Sequence, residues 1–390
     1  MTKRTAGGAM KLGMPAWLRG FFLTAMLLAL AAPACAQWTS ADTQRAWADY
    51  NRAFLITRAD GTEGFAMQQQ NAATTGFWED IEQIEMADDA YDWHVRSFPD
   101  GDHSAYAREV DALCEGFTRN NKFANLPSND WSRNRFNDDL NWAVMAFAHA
   151  YVITKNPEWL AIAQTCFRIV WGRARNSNGG LNQTQPTTNG DAWHANEDSP
   201  VNYNFVIAGY LLFKITGDSS YRKDADLIYK WALTDGHLYD AGTGKVRDSV
   251  TGPRDFSYNY GIAIGAALVE GDTAAVRKIL QWLMKSSNNP DLPYAALWKK
   301  FNILPDYHQG GKNNAGYNGI ALRWIGMAAR SGALTPAEVA WAQANVSLAF
   351  NLRNASGLMW NKWNTPTPPD GLYSWDCSSA MVGMLDIPAP

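Results

Sequence analysis

The sequence predicts an all-α, single-domain (α/α)6 barrel, and three observations carry that expectation. Apolar residues recur at helical spacing in about twelve segments, no alternating run of β-branched residues rivals them, and helix pairs repeat every roughly 50–60 residues. Twelve helices make six hairpins, the number that closes such a toroid. The segments are 40–55, 77–94, 106–120, 140–152, 158–171, 202–215, 221–233, 260–268, 273–284, 318–329, 336–348 and 374–385. In the fourth, Leu140, Val144, Phe147 and Tyr151 line one face while Trp142, Met145, His149 and Val152 line another. A helix apolar almost all round belongs in the interior, and His149 is read as a core histidine. The repeat shows where one helix ends and the next begins. Ala-Tyr-Val-Ile-Thr-Lys-Asn-Pro-Glu-Trp at 150–159 parallels Leu-Phe-Lys-Ile-Thr-Gly-Asp-Ser-Ser-Tyr at 212–221, with a shorter echo at 268–273. Long polar segments at 174–200, 239–259, 286–315 and 351–373 are the places where site residues are expected to collect, at one end of the barrel.

The first 36 residues read as an export signal. Lys3, Arg4, Lys11 and Arg19 are the basic part, and 21–32 is an apolar run too short for a comfortable membrane span. Ala34-Cys35-Ala36 fits a small-x-small cleavage site that leaves Gln37 first, and a catalytic domain over 37–390. Lipid attachment at Cys35 is disfavoured by the Ala32-Pro33-Ala34 lead-in. The expected location is therefore periplasmic or extracellular, with no membrane span. Net charge is −4 with both signs scattered, which argues against nucleic acid or an anionic membrane as partner. Cys114, Cys166 and Cys377 have no metal-ligand spacing; whether two of them pair is open.

The stretch Asn134-Arg135-Phe136-Asn137-Asp138-Asp139-Leu140-Asn141-Trp142 sets two carboxylates side by side at the mouth of the most apolar helix. Helix capping is the plain alternative, with Asn137 or Asp138 as N-cap and Asp139 in the first turn. A buried position changes the chemistry, because adjacent carboxylates there split their pKa values and one keeps its proton. A nucleophile paired with an acid/base is what a retaining glycosidase uses. Other chemistries lack parts. The six histidines (94, 103, 149, 194, 237 and 308) are dispersed, and neither GxSxG nor a P-loop occurs. Asp100–Asp102 lacks the closing glutamate of a calcium loop. No cofactor or metal is expected. Among 18 Trp, 15 Tyr and 16 Phe, several rings stand beside amides and carboxylates in loop-like stretches, namely Trp193, Tyr258, Tyr260, Trp360 and Trp363. A flat ring next to hydrogen-bonding groups suits a sugar.

Taken in order, these motifs resemble glycoside hydrolase family 76, the endo-α-1,6-mannanases and their cell-wall relatives, over nearly all of the mature chain. The resemblance rests on Phe77-Trp78 with Glu79, Ile81, Ile84 and Ala87, on Asn137–Trp142, on Ala150-Tyr151 and Thr154, and on Trp171 with Gly179-Gly180-Leu181. It continues through Asn202, the Ile215–Tyr221 turn, Tyr258-Asn259-Tyr260-Gly261, and Tyr317-Asn318-Gly319 with Arg323. It implies Asp138 as nucleophile and Asp139 as general acid/base, on an (α/α)6 barrel without an obligatory metal. The chain departs from the family pattern at Ala143, Glu197-Asp198, Tyr203, Tyr260 and Asn318.

The expected activity is endo-acting, retaining hydrolysis of α-1,6-mannosidic linkages by a monomer whose partner is an α-mannan. Asn202 and Asn259 are expected to bond sugar hydroxyls, and Asp248 or Asp255 to add a third carboxylate. Tyr258, Tyr260, Trp193 and Trp360 are expected to contribute binding faces. Two alternatives use the same cleft: transglycosylation by the same pair, and a polysaccharide lyase drawing on Tyr258, Tyr260, Arg254 and Lys312. A glycan-binding protein without catalysis is a third, which two neighbouring carboxylates disfavour.

Overall fold

Helical periodicity in the sequence resolves into two concentric rings. The computed structural model describes residues 37–127, 129–185, 196–252, 256–285, 303–305 and 313–390. Among them twelve α-helices occur. Those of the inner ring are α2 (Phe77–Ser97), α4 (Asn137–Thr154), α6 (Ser199–Thr216), α8 (Ser257–Glu270), α10 (Tyr317–Arg330) and α12 (Ser374–Asp386). Those of the outer ring are α1 (Ser40–Phe54), α3 (Ser104–Asn120), α5 (Pro157–Arg173), α7 (Ser219–Tyr229), α9 (Thr273–Lys285) and α11 (Pro336–Asn351). Each inner helix packs on the next and α12 returns to α2, so the ring closes. Helices α4, α6 and α8 are buried on nearly every face, whereas α1, α3 and α9 bury a single stripe. The fold is the all-α toroid that the periodicity predicts.

Closure depends on the chain ends. α1 is the outer partner of α12, with Thr43 Oγ1 donating to Met384 O at 3.4 Å and Tyr50 Oη to Ser374 O at 3.2 Å. Close approach of inner backbones relies on glycine. A Cβ at Gly261 of α8 would lie 2.5 Å from Ala321 Cα of α10.

The internal repeat is a turn with a fixed hydrogen-bond pattern. Thr154 Oγ1 donates to Ala150 O and accepts from Asn156 N–H, and Asn156 Oδ1 then accepts from Glu158 N–H. Thr216, Asp218 and Ser220 repeat each bond. Lys155 (φ 61°) and Gly217 (φ 74°) occupy the left-handed position between the helices. Short turns of this kind run from inner to outer helices, and long loops run from outer to inner. The N-termini of the inner helices therefore gather at the end where the long loops lie.

The structure departs from the periodic pattern in three places. Leu55–Thr57 and Glu63–Phe65 form an antiparallel hairpin after α1, where β-branched Ile56 and Thr57 favour extension. α7 runs into a π-helical turn at Lys230–Thr234. Finally, α4, α6 and α8 begin at 137, 199 and 257, about one turn earlier than their apolar periodicity begins. From those first turns Asp138, Asp139, Pro200 and Tyr258 line a cavity. Cys114, Cys166 and Cys377 are all buried and free.

A charged cluster crosses the interior below those first turns. Arg323 of α10 is 1 % exposed and bonds Asp89 through Nε and Glu82 through a terminal nitrogen, each at 2.7 Å, with Glu85 at 3.4 Å. His149 sits between Asp88 (4.0 Å) and Asp92 (3.2 Å). Burial pulls its pKa down, but Asp88 and Asp92 outweigh burial and raise it to about 10. The expected core histidine is thus a half-buried cation, bonded to the more exposed Asp92 with the buried Asp88 beside it. Removing the cation of such a cluster strands its carboxylates, so Arg323→Met should lower the unfolding free energy by about 3–5 kcal/mol, read from urea denaturation.

Candidate active site

The site is assembled by four extended segments laid side by side at the starts of α4 and α6. Gln185 N–H donates to Arg135 O at 2.9 Å, Asn137 N–H to Gln183 O at 2.6 Å, and Gln183 N–H to Asn196 O at 2.9 Å. Ser199 N–H donates to Asp248 O at 2.8 Å and Val250 N–H to Glu197 O at 3.2 Å, completing the ladder. The Gly179-Gly180 turn feeds the second segment and lies flat on Trp231, since a Cβ at Gly180 would come within 2.5 Å of that ring. At the last residue of α5, Arg173 clamps the loop before α4, donating to Ser132 O (2.8 Å), Asn134 O (2.6 Å) and Asn137 Oδ1 (2.7 Å).

This framework brings Asp138 and Asp139 into one cavity of about 820 Å³. Neither caps its helix: Phe136 holds the N-cap position without a side-chain bond, and the aspartates are the second and third helical residues. Asp138 Oδ2 accepts from Gln183 Nε2 at 3.2 Å, while its Oδ1 has no hydrogen-bond partner among the described residues. Asp139 Oδ2 accepts from Asn134 Nδ2 at 2.9 Å. Burial raises Asp138 to about 6, opposed by the Gln183 amide and local backbone N–H groups. Burial raises Asp139 well above the carboxylate range, and the neighbouring charge of Asp138 adds to it. The two carboxyls are therefore unequal, Asp138 being the first to ionise.

An aromatic wall borders the pair. Tyr258 at the start of α8 and Tyr317 at the start of α10 have ring centroids 4.1 Å apart, and Trp78 stands edge-on to Trp375 at 5.0 Å. Tyr258, Tyr317, Trp78 and Trp142 all line the cavity.

The other residues singled out from the sequence divide by position. Asn202 is a correction: it is fully buried and its amide joins Leu181 N–H, Leu181 O and Asp198 O, so it fixes the Gly-Gly turn and does not reach a sugar. Asn259 is likewise fully buried and donates to Asp248 Oδ1 at 2.8 Å, so it orients that carboxylate from behind. Tyr260 is buried in the core one residue further round α8, away from the cavity. Trp360 donates to Thr365 O within its own loop and is not a wall of the cavity. Asp248 is half-buried on the fourth segment of the ladder. Trp193, Asp255, Arg254, Lys312, His194 and His308 lie outside the described residues.

Glycosyl hydrolase family 76 matches the chain over residues 103–379. The chain belongs to glycosyl hydrolase family 76. The resemblance carried by its motifs is thereby borne out, and the protein is a glycoside hydrolase by family. Curated proteins give no significant match. Its fold is similar to the α-1,6-mannanase of Salegentibacter sp. HEL1_6, with TM-score 0.69, 18% identity, and coverage of 89% of this chain and 98% of that one. An inactive variant of that enzyme, with asparagine at two consecutive aspartates, is in complex with α-1,6-mannotriose. A family 76 α-mannanase of Bacteroides thetaiotaomicron is similar at TM-score 0.65 and 16% identity, over 88% of this chain and 94% of that one. Dfg5 from Chaetomium thermophilum, in complex with glucosamine, is similar at TM-score 0.63 and 17% identity, over 88% of each chain.

Several residues of this family 76 site escape a reading of the sequence alone. Gln183 and Asn134 hold the two carboxylates, yet nothing in sequence spacing brings a residue 45 positions away to Asp138. Glu79, in the first turn of α2, lines the cavity, and burial raises it to about 7. Asp198 occupies the N-cap position of α6 without capping it; its Oδ1 is buried and unpartnered among the described residues. Burial, with the neighbouring charges of Asp248, Asp138 and Glu197, raises Asp198 to about 8. The doublet Glu197-Asp198 was legible as a departure, but its burial was not.

A carboxyl whose folded pKa exceeds its unfolded value leaves stability untouched below about pH 4 and costs increasingly as pH rises toward the folded value. Asp198→Asn should therefore raise the melting temperature at pH 8. That gain should vanish by pH 4, as followed by thermal unfolding across the range.

Proposed function

We propose that the protein is an exported, retaining, endo-acting α-1,6-mannanase in which Asp138 is the nucleophile and Asp139 the general acid/base. The observation that carries this reading is the inequality of the pair. One cavity holds two consecutive carboxyls, of which Asp138 ionises near pH 6 and keeps a free oxygen, while Asp139 is held protonated beside it. Retaining glycosidases need those two states together. Membership of family 76, and the inactivity of a similar mannanase altered at two consecutive aspartates, support the same assignment. Export follows from the basic and apolar pattern of residues 1–36.

In the first step Asp138 Oδ1 attacks the anomeric carbon of the bound mannose. The bond from that carbon to O6 of the next sugar breaks as Asp139 gives O6 its proton. In the second, Asp139, now a carboxylate, takes a proton from water as its oxygen attacks the anomeric carbon and releases Asp138. Burial assists both steps, because the oxocarbenium charge of the transition state meets an anionic Asp138 with little water between them. Tyr258 and Tyr317 supply apolar surface for the sugar ring.

Activity should rise as pH increases through about 6, where Asp138 ionises, and fall at higher pH as Asp139 loses its proton; kcat/KM measured across pH checks both limbs. Asp139→Asn should lower turnover on linear α-1,6-mannan by about 10²–10⁴-fold, and Asp138→Asn by at least as much, with circular dichroism unchanged. Azide should rescue Asp138→Asn as a β-mannosyl azide. Full activity in Asp138→Asn would falsify the assignment.

A further inference from the structure

We propose that the corner between the start of α2 and the loop joining α3 to α4, with Phe123 as its platform and Lys122 at its rim, is the subsite for the departing sugar and for an incoming acceptor. The inference rests on the reading of Asp139 as proton donor, and it comes from the two carboxylates facing different walls. Asp138 takes its hydrogen bond from Gln183, in the ladder that leads to α6 and α8. Asp139 takes its bond from Asn134, on the loop between α3 and α4, and shares the cavity with Glu79 of α2. The same cavity is lined by Gly76 and Phe77, next to Glu79 in the chain, and by Asn121, Lys122 and Phe123, on the loop that carries Asn134. A general acid must lie within hydrogen-bond reach of the oxygen it protonates. The sugar attached to that oxygen therefore extends over the wall on the acid's side, while the attacked mannose lies toward Gln183, Tyr258 and Tyr317.

The chemistry of that wall suits a sugar. Phe123 is half-buried and packed against the core, which fixes its ring as a flat apolar surface. Lys122 is exposed and is the one cation lining the cavity among the described residues, able to donate to ring hydroxyls. After the first step this corner empties and is refilled either by water or by a second saccharide. If a saccharide hydroxyl binds, its proton passes to Asp139, its oxygen bonds the anomeric carbon, and the bond from that carbon to Asp138 breaks. The product is then a longer glycan in place of a free reducing end. Phe123 thus governs both the cleavage of oligosaccharides and the share of transfer.

The test compares α-1,6-mannotetraose, which needs this subsite, with α-mannosyl fluoride, whose leaving group does not. Phe123→Ala should lower kcat/KM on the tetraose by about tenfold or more while fluoride release stays within about twofold, since binding energy away from the reacting carbon is what the variant removes. Transfer to added mannobiose should fall with it, and Phe123→Tyr should restore both. Lys122→Ala, at an exposed position where folding is not at stake, should show a smaller loss of the same selectivity. Equal losses on the two substrates, or no loss on the tetraose in either alanine variant, would overturn the subsite. Wild-type protein that turns over neither substrate would instead overturn the mannanase reading, and the subsite with it.

Discussion

Two carboxyls on consecutive residues are taken out of water together, so burial raises the pKa of both and the charge of Asp138 adds to the rise at Asp139. That constraint organises the site end of this molecule. The pair stands in the first turn of α4, whose remaining faces are apolar and buried, so it cannot turn toward bulk water. Each carboxyl is given one amide donor, Gln183 for Asp138 and Asn134 for Asp139. Neither donor compensates fully for lost hydration, and the resulting imbalance leaves one acid ionised first and its neighbour protonated. Burial alone would already favour the neutral form of a carboxyl here, and the charge of Asp138 adds to that effect at Asp139.

Holding that arrangement requires rigidity from elsewhere. Arg173 fixes the loop before α4 through three hydrogen bonds, and the four-segment ladder fixes Gln183 and Asp248 relative to it. Asn202 and Asn259 act behind the ladder, one locking the Gly-Gly turn and the other orienting Asp248. Asn318 performs a similar service for α8, accepting from Ser257 Oγ at 2.7 Å and donating to Pro305 O at 2.7 Å. Below them, Arg323 ties α10 to α2 across the interior, so the rim that carries Tyr317 and the rim that carries Trp78 and Glu79 keep a set separation.

The barrel was legible because its information is repetitive. Apolar spacing marks helices, and the Thr-x-Asn/Asp turn recurs at 154–156 and 216–218 with the same bonds. Asp138 and Asp139 stood out as a doubled carboxylate at the start of an apolar helix; capping was the plain alternative, and the structure puts Phe136 at the N-cap and both aspartates in one cavity. The binding residues were less legible, for a physical reason. An asparagine beside an aromatic in a loop looks the same whether it bonds a sugar or a backbone carbonyl, and burial alone separates the two. Asn202 and Asn259 are buried and bond the protein, whereas Tyr258 reaches the cavity. Gln183 comes to the pair through strand-like pairing with no sequence periodicity of its own, and Asn134 through the turn that precedes it. The carboxylates of α2 that face Arg323 lie on a helix read for its apolar positions and Glu79, so the buried cluster was not foreseen.

The central claim is that Asp138 forms a bond to the sugar. A fluorinated α-mannosyl fluoride that slows the second step should trap that bond, and peptide mapping by mass spectrometry locates it. The account predicts one fluoromannosyl adduct, on Asp138, with activity returning as the adduct turns over. An adduct on any other residue, or α-mannan hydrolysis with inverted product and no adduct, would contradict it.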